Sequence, residues 1–125
     1  MEKNEINNIA STWIQNAETF WAWNKLHEIV SESHDKAWPI VIEIAKNSDS
    51  NEVLGSLAAG PLEDMLCAHG DVYYELVEKN ANDVFNFKRA LLMGININGE
   101  GSEKIKKLIA KIGDESVRDG WNQYL

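Results

Sequence analysis

The chain has 125 residues, of which 44% are hydrophobic, and a formal net charge of −8 at pH 7. With five tryptophans it can form a core without metal or disulfide bonds, and the single cysteine, Cys67, excludes an internal disulfide and a multi-cysteine zinc site. The polar N-terminal residues lack an apolar signal core and no stretch approaches the ~20 apolar residues of a bilayer span, so we expect a soluble, cytoplasmic protein without membrane contact.

The apolar spacing predicts helices along nearly the whole chain, beginning with three in residues 6–45. Thr19 can cap the second helix, and Asp35 starts the third. Trp38 widens the apolar stripe of the third helix, so we expect this helix to be central. Pro39 falls near its first turn, where a missing N–H costs little. The inward-facing residues are Ile6, Ile9, Ala10, Trp13, Ile14 and Ala17; Phe20, Trp23, Leu26 and Val30; and Ala37, Ile40, Val41, Ile42, Ile44 and Ala45.

Four shorter helices are predicted between residues 49 and 94, followed by a loop with the sequence GININGEG, a basic amphipathic helix, and a last short helix after Gly113 and Asp114. The residues expected to begin or end the shorter helices are Asp49 or Ser50, Pro61, Gly70, Asp71, and Asn82 or Asp83. Ser102 is expected to begin the basic helix. The sequence therefore predicts one all-α domain, 1–125, with seven to nine short helices in antiparallel hairpins. Their packing is expected to be an irregular bundle or a small HEAT-like stack.

The charge is distributed unevenly along the chain. Residues 18–78 carry twelve acids and three bases, a net charge of −9, whereas residues 79–125 have a net charge of +2. A field of this sign repels phosphate backbones, so we expect no direct nucleic-acid binding. It attracts a basic protein and speeds the encounter. A solvated surface that serves only solubility is the alternative explanation.

The stretch LAAGPLED, residues 57–64, predicts that the chain kinks or breaks there and that a new helix begins with a cap. Gly60 would be the N-cap and Pro61 the first helical residue, so the Glu63 carboxylate could reach back to the backbone N–H of the cap. Asp64 would also lie at the positive end of the new helix. Adjacent helical residues point about 100° apart, which disfavours a catalytic pair of these two acids.

The histidines do not have the spacing of a metal site, so we predict no metal and no cofactor. Metal ligands on a helix usually lie three or four residues apart, whereas Cys67 and His69 are two apart. A packed or capping role is expected for His69, and a core position for Cys67. Among the aromatics, Tyr73 and Tyr74 cannot both point inward, so Tyr74 and Trp21 are candidate protein-binding anchors. Helices buried on two sides are the alternative.

The core AAGPLEDMLCAHG, together with the Trp-rich helix before it, resembles a family of small bacterial helical proteins known only as a domain of unknown function. The closest match is carried by Ala58, Ala59, Gly60, Pro61, Leu62, Glu63, Asp64, Leu66, His69 and Gly70. The resemblance covers residues 12–94, whereas the C-terminal helices at 102–125 depart from the family pattern. It implies an all-helical fold and brings no catalytic residues.

Two functions from different classes fit these features. The first is a non-catalytic protein-binding inhibitor, most concretely an immunity protein that neutralises a cognate basic toxin, such as a nuclease, through its acidic surface. Its expected partner-binding residues are Trp21, Glu28, Glu32, Asp35, Asp71, Tyr74, Glu75 and Glu78. The second is a small hydrolase-like or ligand-binding protein that uses Glu63, Asp64 and His69. A generic scaffold or adaptor is a third alternative.

Overall fold

The computed structural model describes residues 2–15, 20–93 and 103–118, with the backbone alone described at 20, 21, 23, 117 and 118. The regular structure of these residues is helical without a strand, which confirms the all-α fold. The helices are α1 (Lys3–Gln15), α2 (Phe20–Glu32), α3 (His34–Asn47), α4 (Asn51–Leu57), α5 (Glu63–His69), α6 (Tyr74–Asp83), α7 (Phe85–Leu91) and α8 (Glu103–Arg118). A π-helical turn, Ala58–Leu62, joins α4 to α5, and a 3₁₀ turn, Gly70–Tyr73, joins α5 to α6. The predicted caps Thr19 and Ser102, the predicted loop, Ala17 and the side chains of Phe20 and Trp23 lie outside the described residues. The predicted break at Gly113 and Asp114 is wrong, because α8 continues through both residues.

Helix α3 is central to the fold, as its wide apolar stripe predicts. It packs against α1, α2 and α7. Because helices cover it from several sides, its buried side chains form more than one stripe. These side chains are Ala37, Trp38, Ile40, Val41, Ile42, Ile44 and Ala45. The contact with α7, far along the chain, makes the packing an irregular bundle rather than a HEAT-like stack, in which repeats contact only their neighbours.

The other helices contribute to one buried cluster with α3. The predicted inward faces supply much of this cluster, and α8 adds Ile105, Leu108 and Ile112. The buried apolar residues of α1, α2, α4 to α5 and α6 to α7 are Ile9, Ala10 and Trp13; Ala22, Leu26, Ile29 and Val30; Leu54, Leu57, Ala58, Leu62, Met65 and Leu66; and Val77, Ala81, Phe87, Ala90 and Leu91. The basic helix is therefore packed against the same core as the acidic part of the chain.

The AAGPL segment disturbs the helix without ending it, so the predicted new helix start at Pro61 is wrong. Ala58, Leu62 and Glu63 have right-handed helical backbone angles, so α4 continues through the π turn into α5. Gly60 lies inside this turn and is not an N-cap, so Glu63 is not the third residue of a capping box. Pro61 explains the π turn, because it has no N–H and its ring needs room beside the preceding turn. The N–H of Glu63 donates to the carbonyl of Ala58, five residues earlier.

Local sequence rules correctly predict the start of α4, but they miss the start of α7 and the position of Pro39 in α3. Ser50 caps α4, where its hydroxyl accepts a hydrogen bond from the N–H of Val53 at 3.4 Å. By contrast, α6 continues through Asp83, and the residue before α7 is Val84, whose side chain cannot cap. Pro39 is the sixth residue of α3, beyond its first turn, and therefore leaves a backbone carbonyl of the helix without its usual N–H donor.

Arg89 is a buried charge that ties α7 to the start of α4. Its side chain is 8% exposed, and Nη1 donates to the carbonyl of Asp49 at 3.0 Å and to Oδ1 of Asn86 at 3.1 Å. Nη2 donates to Oδ1 of Asn51, the first residue of α4. The planar guanidinium holds its donors on separate nitrogens in a fixed fork, whereas a lysine carries its donors on a single nitrogen.

Replacing Arg89 with lysine is expected to lower the free energy of unfolding by about 1.5–3 kcal/mol. The reason is that a buried lysine cannot keep all the hydrogen bonds that the guanidinium makes. Asn86→Ala, which removes one acceptor of the three, is expected to cost about 0.5–1.5 kcal/mol. Urea unfolding followed by circular dichroism measures both variants against wild type. A loss below about 0.5 kcal/mol for Arg89→Lys would contradict this structural role.

Candidate functional site

Three of the predicted partner-binding acids lie where α2 ends and α3 begins, and we call this group the acidic corner. Glu28 and Glu32 are exposed in the second half of α2, and Asp35 is exposed in the first turn of α3. None of the three carboxylates forms an ion pair with a described residue, whereas ion pairs are present within α8. Glu32 also lines a recess with Lys25 and Lys36, which offset part of its charge.

Asp35 is held in place by a tyrosine of the core. Tyr73 is only 2% exposed, and its hydroxyl donates a hydrogen bond to the Asp35 carboxylate. Burial, followed by the negative charge of Asp35 and this hydrogen bond, raises the pKa of Tyr73 to about 12. The Tyr73 ring stacks on Trp38, with centroids 5.0 Å apart and planes inclined by 11°, and Trp38 meets Phe87 edge to face at 5.7 Å. A chain of aromatic contacts therefore connects the exposed carboxylate to the centre of the core.

A pair of histidines lies beside this carboxylate. The rings of His34 and His69 meet edge to face, with centroids 4.3 Å apart. His34 is half-buried and its Nδ1 has no hydrogen-bond partner among the described residues. Burial lowers the pKa of His34, the nearby His69 lowers it further, and Asp35 acts in the opposite direction. The neutral form of His34 is thus favoured in the folded protein.

The position of His69 differs from the expected packed or capping role. His69 is exposed, and its backbone (φ −144°, ψ 37°) ends α5, whereas Gly70, the predicted stop, keeps helical angles (φ −48°, ψ −50°). The break at His69 directs the chain into the 3₁₀ turn and places the imidazole against His34. The pairing joins residues 35 positions apart, so spacing within one helix gives no signal of it.

The predicted binding acids of the 3₁₀ turn and α6 lie beside the basic helix α8. Asp71, Tyr74 and Glu75 line a groove of about 750 Å³ whose other wall is formed by α8. We call it the bipolar groove, because the α8 wall presents Lys104, Lys107 and Lys111. Glu78 lies in an adjoining recess with Lys88 and Lys111. These acids therefore belong to a surface of mixed charge, separate from the acidic corner.

Asp71 has a structural role in this groove. The sequence predicts that it caps its own following helix, but its Oδ1 instead accepts a hydrogen bond from the N–H of Ile105 at 3.3 Å. Ile105 is in the first turn of α8, so Asp71 caps α8 from across the fold, and its negative charge lies at the positive end of that helix. Local rules identify the capping ability of Asp71 but not the helix that it serves.

The predicted aromatic anchors have different outcomes. Tyr73 is buried and Tyr74 is half-buried, so the expectation that the two tyrosines differ in burial is confirmed. Trp21 belongs to α2, but its side chain lies outside the described part of the chain. The sequence does not single out Val72, which is 76% exposed at the edge of the bipolar groove.

The acids of the AAGPLED motif, Glu63 and Asp64, lie in the first turn of α5. Glu63 is half-buried and Asp64 is exposed, and neither lines the bipolar groove. Cys67 is half-buried beside the core rather than within it. Among the residues that the structure describes, no group of three or more His, Cys, Asp or Glu side chains is arranged to hold a metal ion.

The family of unknown function DUF6869 matches this chain over residues 10–117. This chain belongs to DUF6869. The match extends into α8, beyond the residues 12–94 that carry the sequence resemblance. Because DUF6869 is a family of unknown function, membership assigns no reaction, ligand or partner. The search of curated proteins gave no match, and the search of solved structures gave none.

No helix described for this chain has the length and apolar character needed to cross a membrane.

The histidine pair predicts that acidification destabilises this DUF6869 protein. The folded-state pKa of His34 is lowered, so the unfolded chain binds the proton more readily once the pH falls below about 6.5. The contribution of His34 to the free energy of unfolding is therefore fully present above this pH. It decreases as the pH falls towards the lowered folded-state pKa. In His34→Asn this contribution is absent, so the free energy of unfolding, measured in urea between pH 5 and 8, should depend less on pH. His27→Asn, on the exposed face of α2, is the control, and equal slopes for His34→Asn and wild type would contradict the assignment.

The Tyr73 hydroxyl predicts a second pH effect, in the alkaline range. The folded-state pKa of Tyr73 is raised to about 12. The contribution of Tyr73 to the free energy of unfolding is therefore fully present below the unfolded pKa of 10.0 and is lost as the pH rises towards 12. Tyr73→Phe should remove this loss and lower stability at neutral pH by about 0.5–1.5 kcal/mol, because Asp35 loses its donor. Ultraviolet absorption should show the late phenol titration in wild type and in the control Tyr74→Phe, but not in Tyr73→Phe.

Proposed function

We propose that the protein is a non-catalytic inhibitor that binds another protein, most concretely an immunity protein that neutralises a cognate toxin in the bacterial cytoplasm. The partner is a basic domain, such as a nuclease, and the acidic corner is its main contact. The observation that carries the proposal is Asp35, an exposed carboxylate fixed by the buried Tyr73. The other support comes from charge: residues 18–78 have a net charge of −9.

A fixed carboxylate favours tight pairing with an arginine or lysine. An exposed ion pair usually contributes little, since two long side chains must be ordered when it forms. The side chain of Asp35 is short and already oriented by the Tyr73 hydroxyl. It therefore loses little further conformational entropy when it pairs with a partner residue. Glu28 and Glu32, which have no ion-pair partner among the described residues, add attraction at longer range.

The bipolar groove has a smaller role in this proposal. Its lysines oppose the approach of a basic protein, so Asp71, Glu75 and Glu78 contribute less to the encounter than their number implies. Val72, which is 76% exposed at the edge of the bipolar groove, offers a partner an apolar contact there. Tyr74 is half-buried and can contribute the edge of its ring to the partner.

The alternative of a small hydrolase or ligand-binding protein has less support. It requires Glu63, Asp64 and His69 around one cleft, but the ring that approaches His69 is that of His34. None of the three residues lines the grooves described above. Inhibition by binding requires only a surface, and for that reason we favour it.

The proposal is tested by co-expression with the proteins encoded by the two adjacent genes. One of them, expressed alone in a bacterial host, should stop growth, and the wild-type chain should restore it. The variant Glu28→Lys, Glu32→Lys, Asp35→Asn should fail to restore growth and should associate with the purified toxin domain roughly 10- to 100-fold more slowly at low salt. The slowing should diminish in high salt, because screening weakens electrostatic steering.

The matched control, Glu52→Lys, Asp83→Lys, Asp114→Asn, changes exposed acids on other helices by the same total charge. It should retain most of the association rate and the protection of growth. Equal slowing by both variants would assign the effect to net charge and overturn the acidic corner as the contact. If neither adjacent gene product stops growth, or if the wild-type chain gives no protection, the immunity function is wrong.

A further inference from the structure

A second groove lies on another side of α3, between α1 and α6, with a volume of about 480 Å³. Its floor and apolar wall are formed by Ile6, Trp38, Pro39, Ile42 and Leu76. Leu76 is 43% exposed and Pro39 is also exposed, so apolar surface is available to solvent there. This surface is not part of the acidic corner or the bipolar groove.

The rim of this groove has the opposite charge to the protein as a whole. Lys3, Lys46 and Lys79 line it, one from each of the three helices, and all three are exposed. None of them forms an ion pair with a residue that the structure describes. The acid at the rim, Glu43, accepts a hydrogen bond from the side chain of Asn47 at 2.9 Å. In a chain with a net charge of −8, these lysines create a local positive site, and we call it the lysine-rimmed groove.

We propose that the lysine-rimmed groove binds a short, acidic amphipathic helix of a partner protein. The apolar face of that helix lies on Leu76, Pro39 and Ile6, and its carboxylates pair with the three lysines. From Trp38 to Lys46, α3 rises roughly 12 Å, which matches about two turns of a bound helix. An open groove with helical walls and an apolar floor is the surface that helix-in-groove recognition uses.

This assignment is independent of the proposed toxin inhibition, because the two surfaces share no residue and require opposite charges. A basic partner at the acidic corner and an acidic helix in the lysine-rimmed groove can be bound at once. The chain then acts as a bridge between two proteins. Loss of either interaction by mutation leaves the other measurable.

The test uses a synthetic helical peptide with leucines three and four residues apart and glutamates on its other face, labelled with a fluorophore. Wild-type protein should bind it saturably, as measured by fluorescence anisotropy. Leu76→Glu should raise the Kd about tenfold or more, and so should Lys46→Glu, Lys79→Glu. These side chains are exposed, so the variants are expected to fold, and circular dichroism checks this.

The matched control is Lys104→Glu, Lys107→Glu, which reverses two exposed lysines of the bipolar groove and should leave the Kd within about twofold of wild type. If this control weakens peptide binding equally, the peptide is attracted by the net charge of the protein and the proposed site is wrong. A scrambled peptide of the same composition should bind at least roughly tenfold more weakly, and equal binding overturns recognition of an amphipathic helix. If the wild-type protein self-associates and Leu76→Glu abolishes this, the groove binds a second copy of the chain. That result also overturns the proposal.

Discussion

The burial of α3 is the constraint on which the rest of the structure depends. An apolar surface that covers most of a helix must be screened from water on several sides, and in this chain α1, α2 and α7 do so. A helix enclosed in this way has fixed ends. Its first turn therefore fixes the positions of His34 and Asp35. His69, where α5 ends, contacts His34, and Tyr73 of the 3₁₀ turn contacts Asp35. The location of the acidic corner follows from the packing of the core.

Contacts between aromatic rings extend that rigidity to the surface. Phe87, Trp38 and Tyr73 are buried and pack in succession, and the Tyr73 hydroxyl ends the series at Asp35. Most exposed carboxylates move freely, whereas this one is hydrogen-bonded to a group that cannot move without disturbing the core. The same arrangement makes Tyr73 difficult to ionise and places its ring 6.4 Å from that of His34. Folding stability, pH dependence and the geometry of the acidic corner are thus coupled through a small set of residues.

The sequence predicts the features that depend on neighbours within one helix. The wide stripe of α3, the Ser50 cap and the difference between Tyr73 and Tyr74 all follow from spacing. It fails where a residue serves a distant element: Asp71 caps α8, and Arg89 binds the segment before α4. The π turn was missed for another reason. Proline chemistry predicts a disturbance of the helix, but the packing of apolar residues on both sides of Pro61 decides that the helix continues.

The distribution of charge in space changes what net charge implies for recognition. Along the sequence, residues 18–78 form an acidic block and the tail is basic, which predicts an acidic surface that attracts a basic partner. In the fold, part of the acidic block faces the lysines of α8, and three other lysines surround a separate groove. Electrostatic attraction extends only about 8 Å at physiological ionic strength, so each patch acts on a partner through its own local charge. A protein that is acidic overall can therefore present a positive docking site on a separate surface. Two partners of opposite charge would then meet different surfaces of one rigid helical bundle.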